Sequence, residues 1–269
     1  MNAESGVQRI AATFERARRA GRAALMPYLT LGYPTAEQSL ALVEAAIAGG
    51  ADMLELGVPF SDPLADGPVI QRATHLALQQ GITVAGCLGL VDQLRRRGAT
   101  LPLVLMGYTN PILAYGEAAF CRACTEAGVD GLIVPDLPPE EGQALEGLCR
   151  ATGLALIYLL APTSDPARVK RVCERAQGFV YLVSVAGITG ARDRLPADLA
   201  AFVGRVRAAT RLPLAVGFGI STAEQAQQVA ALADGVIVGS ALVRLAEQPD
   251  APEAVRAAVE RLRGAVGRG

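Results

Sequence analysis

Short apolar runs and longer amphipathic stretches alternate along almost the whole chain. The apolar runs lack clean period-two alternation, which is typical of parallel strands that are covered on both faces. Turn-forming glycines and prolines border many of them, and no run is long enough to be a membrane span. Eight such runs are predicted to be strands, and they cover residues 23–30, 53–56, 103–106, 131–134, 155–159, 178–183, 214–216 and 235–238.

The stretches between the predicted strands have the periodicity of helices. Apolar residues recur at helical spacing in residues 36–48, 142–152 and 222–232. A further amphipathic helix is predicted at residues 7–19, before the first strand. Glycines directly after several of these stretches provide the sharp stops that end helices.

This order of elements predicts an α/β protein, namely a (β/α)8 TIM barrel with an additional N-terminal helix. No composition break or linker divides the chain, so residues 1–269 are predicted to form a single (β/α)8 barrel domain. A doubly wound open sheet is the competing architecture, but no G-x-G-x-x-G sequence follows the first predicted strand. In a barrel, the active site is expected on the loops after the strands.

The stretch LELGVPFSDPLADGP, residues 54–68, is the first candidate for chemistry. Glu55 lies within an apolar strand, where a carboxylate is costly to bury without a partner or a purpose. Asp62 and Asp66 lie in the long Pro/Gly-rich loop that follows. Carboxylates that meet at the end of a strand suit general acid–base catalysis. Alternatively, Glu55 is paired in a salt bridge inside the barrel, and Asp66 only caps the helix that starts near Pro68.

Glycine-rich loops follow the last three predicted strands, at residues 184–192, 217–222 and 239–241. Glycine lets a backbone approach an anion closely, and N–H groups that open a helix at Ser240 would point toward it. Loops at these positions of a barrel often bind phosphate. Because no Lys or Arg directly follows the seventh or eighth strand, backbone amides are expected to do most of the binding.

Composition narrows the range of functions. The net charge of −1 does not indicate a basic surface for binding nucleic acid or an anionic membrane. The polar N-terminal 22 residues predict a cytoplasmic protein. One histidine, His75, and one lysine, Lys170, leave almost nothing for a metal site, a Ser-His-Asp triad or a Schiff base. The five cysteines, including the lone C-x-x-C at Cys121 and Cys124, are interpreted as reduced thiols in the core.

Several runs together resemble the tryptophan synthase alpha subunit family. They are MPYLTLGYP at residues 26–34, residues 54–71, IVPDLP at 133–138, GITG at 187–190 and GFGIS at 217–221. The resemblance extends over nearly the whole chain and is most specific in LELGVPFSDPLADGP. It implies a carbon–carbon lyase of tryptophan biosynthesis that cleaves indole-3-glycerol phosphate to indole and glyceraldehyde 3-phosphate by a retro-aldol reaction.

The resemblance also implies a role for individual residues. Glu55 matches the catalytic acid/base, and Asp66 matches the catalytic carboxylate that stabilises positive charge at the indole ring nitrogen. The positions that match substrate-binding residues are Tyr28, Leu105, Tyr181, Thr189, Gly190, Gly219, Gly239 and Ser240. Of these, Thr189 lies on the strand 6 loop that closes over the substrate and meets Asp66 in the family.

The family's alpha subunit passes indole to a beta subunit within an alpha2beta2 heterotetramer. Pro59 and Asp62 match positions that contact this partner, and the apolar Phe60 and Leu64 on the same loop suit an interface. No cofactors and no metal are expected in this chain. Pyridoxal phosphate is expected only in the beta subunit. Two alternatives use the same barrel: a phosphosugar isomerase or epimerase with Glu55 as base, and a phosphate-ligand-binding barrel that only activates a partner.

Overall fold

Eight parallel strands form the centre of the molecule and close into a barrel in chain order, with β1 paired to both β2 and β8. The computed structural model describes residues 4–184 and 195–267. The strands are β1 (Ala24–Thr30), β2 (Leu54–Gly57), β3 (Leu103–Met106), β4 (Gly131–Ile133), β5 (Ala155–Leu160), β6 (Val180–Val183), β7 (Leu214–Gly217) and β8 (Gly235–Val238). The predicted barrel is therefore confirmed, and the open sheet is excluded.

Helices cover the outside of the barrel, and two of them follow each of β2, β3 and β8. Within the described residues they are α1 (Gly6–Arg19), α2 (Ala36–Ala48), α3 (Pro68–Gln79), α4 (Val84–Arg96), α5 (Thr109–Tyr115), α6 (Glu117–Ala127), α7 (Gln143–Thr152), α8 (Pro166–Arg175), α9 (Leu199–Arg207), α10 (Ala223–Ala230), α11 (Ser240–Val243) and α12 (Ala251–Ala265). A 3-10 turn, Arg244–Glu247, joins α11 to α12.

The additional N-terminal helix α1 lies at the N-terminal end of the barrel. Ser5 and Gln8 form a capping box that starts the helix, and its Phe14 ring packs against Phe179, just before β6, with 5.6 Å between ring centroids. A Cβ on Gly235, the first residue of β8, would lie 3.0 Å from the Phe14 ring. Because α1 covers this end, the cavity described below opens at the other end.

A repeated contact holds the strands at the covered end of the barrel. An acidic or amide side chain just before every even-numbered strand accepts a hydrogen bond from a backbone N–H near the start of the preceding odd-numbered strand. The four pairs are Asp52 with Leu25 (2.8 Å), Asp130 with Leu103 (2.8 Å), Gln177 with Leu156 (3.4 Å) and Asp234 with Leu214 (2.9 Å). Each contact therefore ties an odd-numbered strand to the even-numbered strand that follows it.

Arginines neutralise the acidic members of this set. Asp130 is 2% exposed and binds Arg9 at 3.0 Å and Arg95 at 2.6 Å. Asp52 binds Arg22 at 2.6 Å and Arg263 at 3.0 Å. A buried carboxylate is stable only when it is paired and hydrogen-bonded. These ion pairs lie away from the open end of the barrel, so their role is to hold the strands together.

Candidate active site

Glu55 projects from β2 into a cavity at the C-terminal ends of the strands, and it is 3% exposed to solvent. Burial raises the pKa of the Glu55 carboxyl from 4.5 to about 8, and the nearby charge of Asp66 adds to the shift. Within the described residues it forms no salt bridge, and its Oε2 has no hydrogen-bond partner. The salt-bridge alternative for Glu55 is therefore wrong, and one buried oxygen is left for a ligand.

Asp66 lies on the loop between β2 and α3, lines the same cavity and is 7% exposed. Burial raises the pKa of its carboxyl from 3.8 to about 6, although the interaction with Tyr108 opposes the shift. The N-cap of α3 is Gly67, and no side chain caps that helix. The alternative in which Asp66 only caps a helix is therefore also wrong.

Tyr108 anchors the loop that carries Asp66. Its hydroxyl accepts the backbone N–H of Ala65 at 3.1 Å and interacts with the Asp66 carboxylate, whose pKa it lowers. The Phe60 ring packs against the Tyr108 ring, with 5.4 Å between centroids. Sequence analysis missed Tyr108, because a tyrosine two residues after the end of β3 carries no signal of contact with the β2 loop.

The cavity encloses about 590 Å³, including its open mouth. Two glycines make room for the two tyrosines that flank it: a Cβ on Gly57 would lie 2.0 Å from the Tyr28 hydroxyl, and one on Gly217 would lie 2.2 Å from the Tyr181 hydroxyl. The structure thus places most of the predicted pocket residues around the two carboxylates. They are Tyr28, Tyr181, Gly219, Gly239 and Ser240.

The loop after β7 has an unusual backbone. Phe218 has a φ of 68°, which is costly for a residue with a side chain, and Gly219 follows with a φ of 75°. The buried Ser184 hydroxyl donates to the Phe218 carbonyl, and the Phe218 ring packs edge-on against Tyr181 at 5.7 Å. These contacts hold the loop so that Gly219 and Ser221 line the cavity.

The prediction that Leu105 lines this cavity is wrong. Leu105 lies beside a separate apolar cavity between β3 and the helices, whereas the next residue, Met106, lines the cavity with the carboxylates. Glu55 pairs with Val104 in the sheet, and alternate residues of a strand point to opposite faces. Met106 therefore shares the inward face with Glu55, and Leu105 points outward.

Two predicted site residues, Thr189 and Gly190, lie outside the described residues. The two predicted partner-contact residues differ in exposure, since Pro59 is buried and Asp62 is exposed. Leu64, on the same loop, is 85% exposed, which is unusual for a large apolar side chain. Asp62 and Leu64 are therefore the parts of this loop that are available to a partner.

The single histidine and the single lysine of the chain lie away from the cavity. His75 is exposed on α3 beside Gln79, and Lys170 is exposed on α8 beside Glu174. Within residues 4–184 and 195–267, no group of three or more His, Cys, Asp or Glu side chains could hold a metal ion. No helix in this part of the chain is both long and apolar enough to cross a bilayer.

A closed parallel barrel with two buried carboxylates of raised pKa beside glycine-rich loops defines a (β/α)8-barrel protein equipped for acid–base chemistry. The family model described as tryptophan synthase alpha chain matches residues 14–267. The chain belongs to the tryptophan synthase alpha chain family.

Similar proteins agree with this assignment over most of their lengths. The alpha chain of Roseiflexus castenholzii is 51% identical over 257 residues, which are 96% of this chain and 98% of the relative. That of Chloroflexus aurantiacus is 53% identical over 237 residues, which are 88% and 89% of the two chains. A chain of Mycobacterium tuberculosis tryptophan synthase superposes with a TM-score of 0.90 at 42% identity, covering 97% of this chain and 99% of its own.

Proposed function

We propose that this chain cleaves indole-3-glycerol phosphate to indole and glyceraldehyde 3-phosphate, as the alpha component of tryptophan synthase. The family supports the overall reaction. One observation supports the roles of the residues: Glu55 and Asp66 line one cavity but differ in pKa, at about 8 and about 6. At neutral pH, Glu55 is mostly protonated and Asp66 mostly ionised, so one can donate a proton while the other holds a negative charge.

The reaction needs a proton at C3 of the indole ring. Protonated Glu55 donates it, and the resulting ring carries positive charge at its nitrogen, whose N–H donates to the Asp66 carboxylate. Glu55, now ionised, accepts the proton of the hydroxyl on the side-chain carbon attached to C3. The bond between these two carbons then breaks.

The electrons of that bond return to the indole ring and neutralise the charge at nitrogen, while the hydroxyl carbon becomes an aldehyde. Indole and the aldehyde are released, and Glu55 regains its proton. The substrate's own heterocycle thus accepts the electrons, and neither a lysine iminium nor a metal takes part. We propose that the chain needs no cofactor, and activity should therefore survive incubation with EDTA.

The shape of the cavity supports one orientation of the substrate. Tyr28, Met106 and Tyr181 form its aromatic and apolar wall near the carboxylates, and the indole ring would lie there. Burial raises the pKa of both tyrosines, so their hydroxyls stay protonated. The phosphate would lie at Gly219, Gly239 and Ser240, with Thr189 and Gly190 proposed to complete the site.

The two alternative functions fit the structure less well. A phosphosugar isomerase or epimerase would use a histidine or a metal as electrophile. The one histidine of the chain lies outside the cavity, exposed on α3. A barrel that only binds a phosphate ligand has no need for two buried carboxylates with raised pKa values, which oppose folding at neutral pH.

The proposed partner is the tryptophan synthase beta subunit, which would hold pyridoxal phosphate within an alpha2beta2 assembly. Supporting features lie on the loop after β2 and on α5, which follows β3. Leu64, on the β2 loop, is 85% exposed, and Leu113 of α5 is 54% exposed. Exposed apolar side chains of this size are suited to contact with a partner, where they would be removed from water. A cytoplasmic location remains a prediction.

Adding indole-3-glycerol phosphate to the purified chain tests the proposed reaction. Indole and glyceraldehyde 3-phosphate should appear in equal amounts, and adding the beta subunit with L-serine should convert the indole to tryptophan. A chain that folds but releases no indole, with or without the beta subunit, would overturn the proposal.

A further inference from the structure

Arg244 brings a positive charge to the cavity that sequence analysis did not anticipate. It begins the 3-10 turn after α11 and lines the cavity together with Gly219, Gly239 and Ser240. Its Nε donates a hydrogen bond to the Ser240 carbonyl at 3.2 Å, which fixes the guanidinium beside the loop after β8. Of the described residues that line the cavity, Arg244 is the one with a cationic side chain.

The charge of Arg244 is not neutralised by an acid in the described part of the chain. None of the ion pairs there includes it. The acid of the same turn, Glu247, is engaged elsewhere: it binds Arg72 at 3.2 Å and accepts the Tyr33 hydroxyl at 2.8 Å. Arg244 is also absent from the charges that shift the pKa of Glu55 or Asp66. The guanidinium is therefore free to bind an anion from outside the protein.

The local backbone makes such a cation useful. The helix after β8 has four residues before it becomes a 3-10 turn, so few peptide dipoles add up at Ser240. Backbone N–H groups alone would therefore face a phosphate dianion with little net positive charge. A guanidinium beside them supplies a full charge and directed N–H donors that match phosphate oxygens.

We propose that Arg244 binds the phosphate group of the substrate and determines the preference for the phosphorylated substrate over its unphosphorylated form. The proposal rests on the proposed function for the identity of the substrate. The cavity would then hold opposite charges at its two ends, with Asp66 at the ring nitrogen and Arg244 at the phosphate. A substrate with a neutral tail would lose its anchor but would keep its contacts with the carboxylates.

Replacing Arg244 by Gln tests the proposal, because glutamine keeps polarity and removes the charge. We expect KM for indole-3-glycerol phosphate to rise roughly 10-fold, the size of one partly exposed charge-assisted contact, with a smaller change in kcat. The ratio of kcat/KM for indole-3-glycerol phosphate to that for indole-3-glycerol should fall by a similar factor. Arg244→Lys should recover part of the loss. Arg96→Gln is the control, because Arg96 is an exposed arginine on α4 that pairs with Asp92.

Calorimetry with inorganic phosphate provides a readout that does not depend on turnover. The wild-type chain and Arg96→Gln should bind phosphate equally, whereas Arg244→Gln should bind it about 10-fold more weakly, and added salt should narrow the difference. Equal phosphate affinity and an equal substrate ratio in Arg244→Gln would overturn the proposal. A wild-type chain that binds phosphate through Arg244 but releases no indole would instead contradict the proposed function alone.

Discussion

The Tyr108 hydroxyl, just past β3, interacts with the carboxylate of Asp66 on the loop after β2 and lowers its pKa. The same hydroxyl accepts the backbone N–H of Ala65 at 3.1 Å, so it also holds the loop next to Asp66. The interaction favours the ionised carboxylate against the larger effect of burial, which raises the pKa of Asp66 to about 6. The proposed role of Asp66 requires this ionised form.

Tyr108→Phe should therefore move the acid limb of the activity profile to higher pH. The ring and its packing against Phe60 remain, whereas the hydroxyl that lowers the pKa of Asp66 is lost. We expect kcat at pH 6 to fall roughly 2- to 5-fold, with a smaller loss at pH 8. The phosphate of the substrate titrates equally in both enzymes, so the difference between their profiles reports on the protein. An acid limb that stays in place would remove Tyr108 from this role.

Burial of Glu55 should make the protein less stable as the pH rises. At pH 4 the carboxyl is largely protonated in both the folded and the unfolded chain. Between its unfolded value near 4.5 and its folded pKa of about 8, only the unfolded chain ionises, so the free energy of unfolding falls with pH. Glu55→Gln should consequently be more stable than wild type by ~2 kcal/mol at pH 9 and nearly equal to it at pH 4.

Urea denaturation at the two pH values measures this difference. Glu174→Gln is the control, because Glu174 is an exposed glutamate on α8, and its effect should be small at both. If Glu55→Gln destabilised the chain, and did so more at pH 9 than at pH 4, Glu55 would be a structural residue that the fold requires in its ionised form.

Gly217 is needed because a side chain there would displace Tyr181. A Cβ would lie 2.2 Å from the Tyr181 hydroxyl, far inside contact distance. Gly217→Ala should therefore move the Tyr181 ring into the cavity and raise KM for indole-3-glycerol phosphate by about 10-fold or more. Gly204→Ala on α9 is the matched control, since nothing lies within 4 Å of its Cβ. Equal KM values in the two variants would show that the wall of the cavity adapts without loss.

Asp130 should stabilise the barrel without affecting the chemistry. Asp130→Asn leaves Arg9 and Arg95 without their buried counterion and weakens the contact with the Leu103 N–H. We expect the free energy of unfolding to fall by roughly 3 kcal/mol, because removing one partner of a buried ion pair is costly. Asp92→Asn, which disrupts an exposed pair with Arg96, should cost ~0.5 kcal/mol or less.

The kcat of folded Asp130→Asn should match wild type, since the ion pair lies at the end of the barrel that α1 covers. Thermal unfolding and initial rates on the same preparation separate the two effects. A loss of kcat with unchanged stability would place Asp130 in communication with the cavity.

Much of the fold and part of the candidate site could be predicted from the sequence. Parallel strands of a closed barrel are apolar runs, and the loops that carry the chemistry follow them directly. The sequence positions of Glu55 and the glycine loops, at or just after such runs, therefore predict that they lie at the active-site end of the barrel. The family assignment is confirmed. The single-domain description of residues 1–269 and the roles of individual site residues remain predictions.

The remaining features depend on contacts that local sequence does not encode. Leu105 and Met106 are both apolar, and only the register of β3 against β2 shows which one faces inward. Tyr108 meets Asp66 across 42 positions of the chain. Arg244 lines the cavity because it follows Ser240 by about one helical turn, which the glycine after β8 does not indicate. Side chains that converge from separate loops become visible only in three dimensions.

The rate of indole release by Glu55→Gln tests the central claim most directly. Glutamine has nearly the same shape but can neither donate the proton to C3 nor accept one from the hydroxyl. With indole-3-glycerol phosphate at saturation, we expect kcat to fall by about 1000-fold or more, while inorganic phosphate still binds and the Glu174→Gln control turns over normally. A folded Glu55→Gln chain that releases indole at a rate near wild type would contradict the assignment of Glu55 as the acid/base.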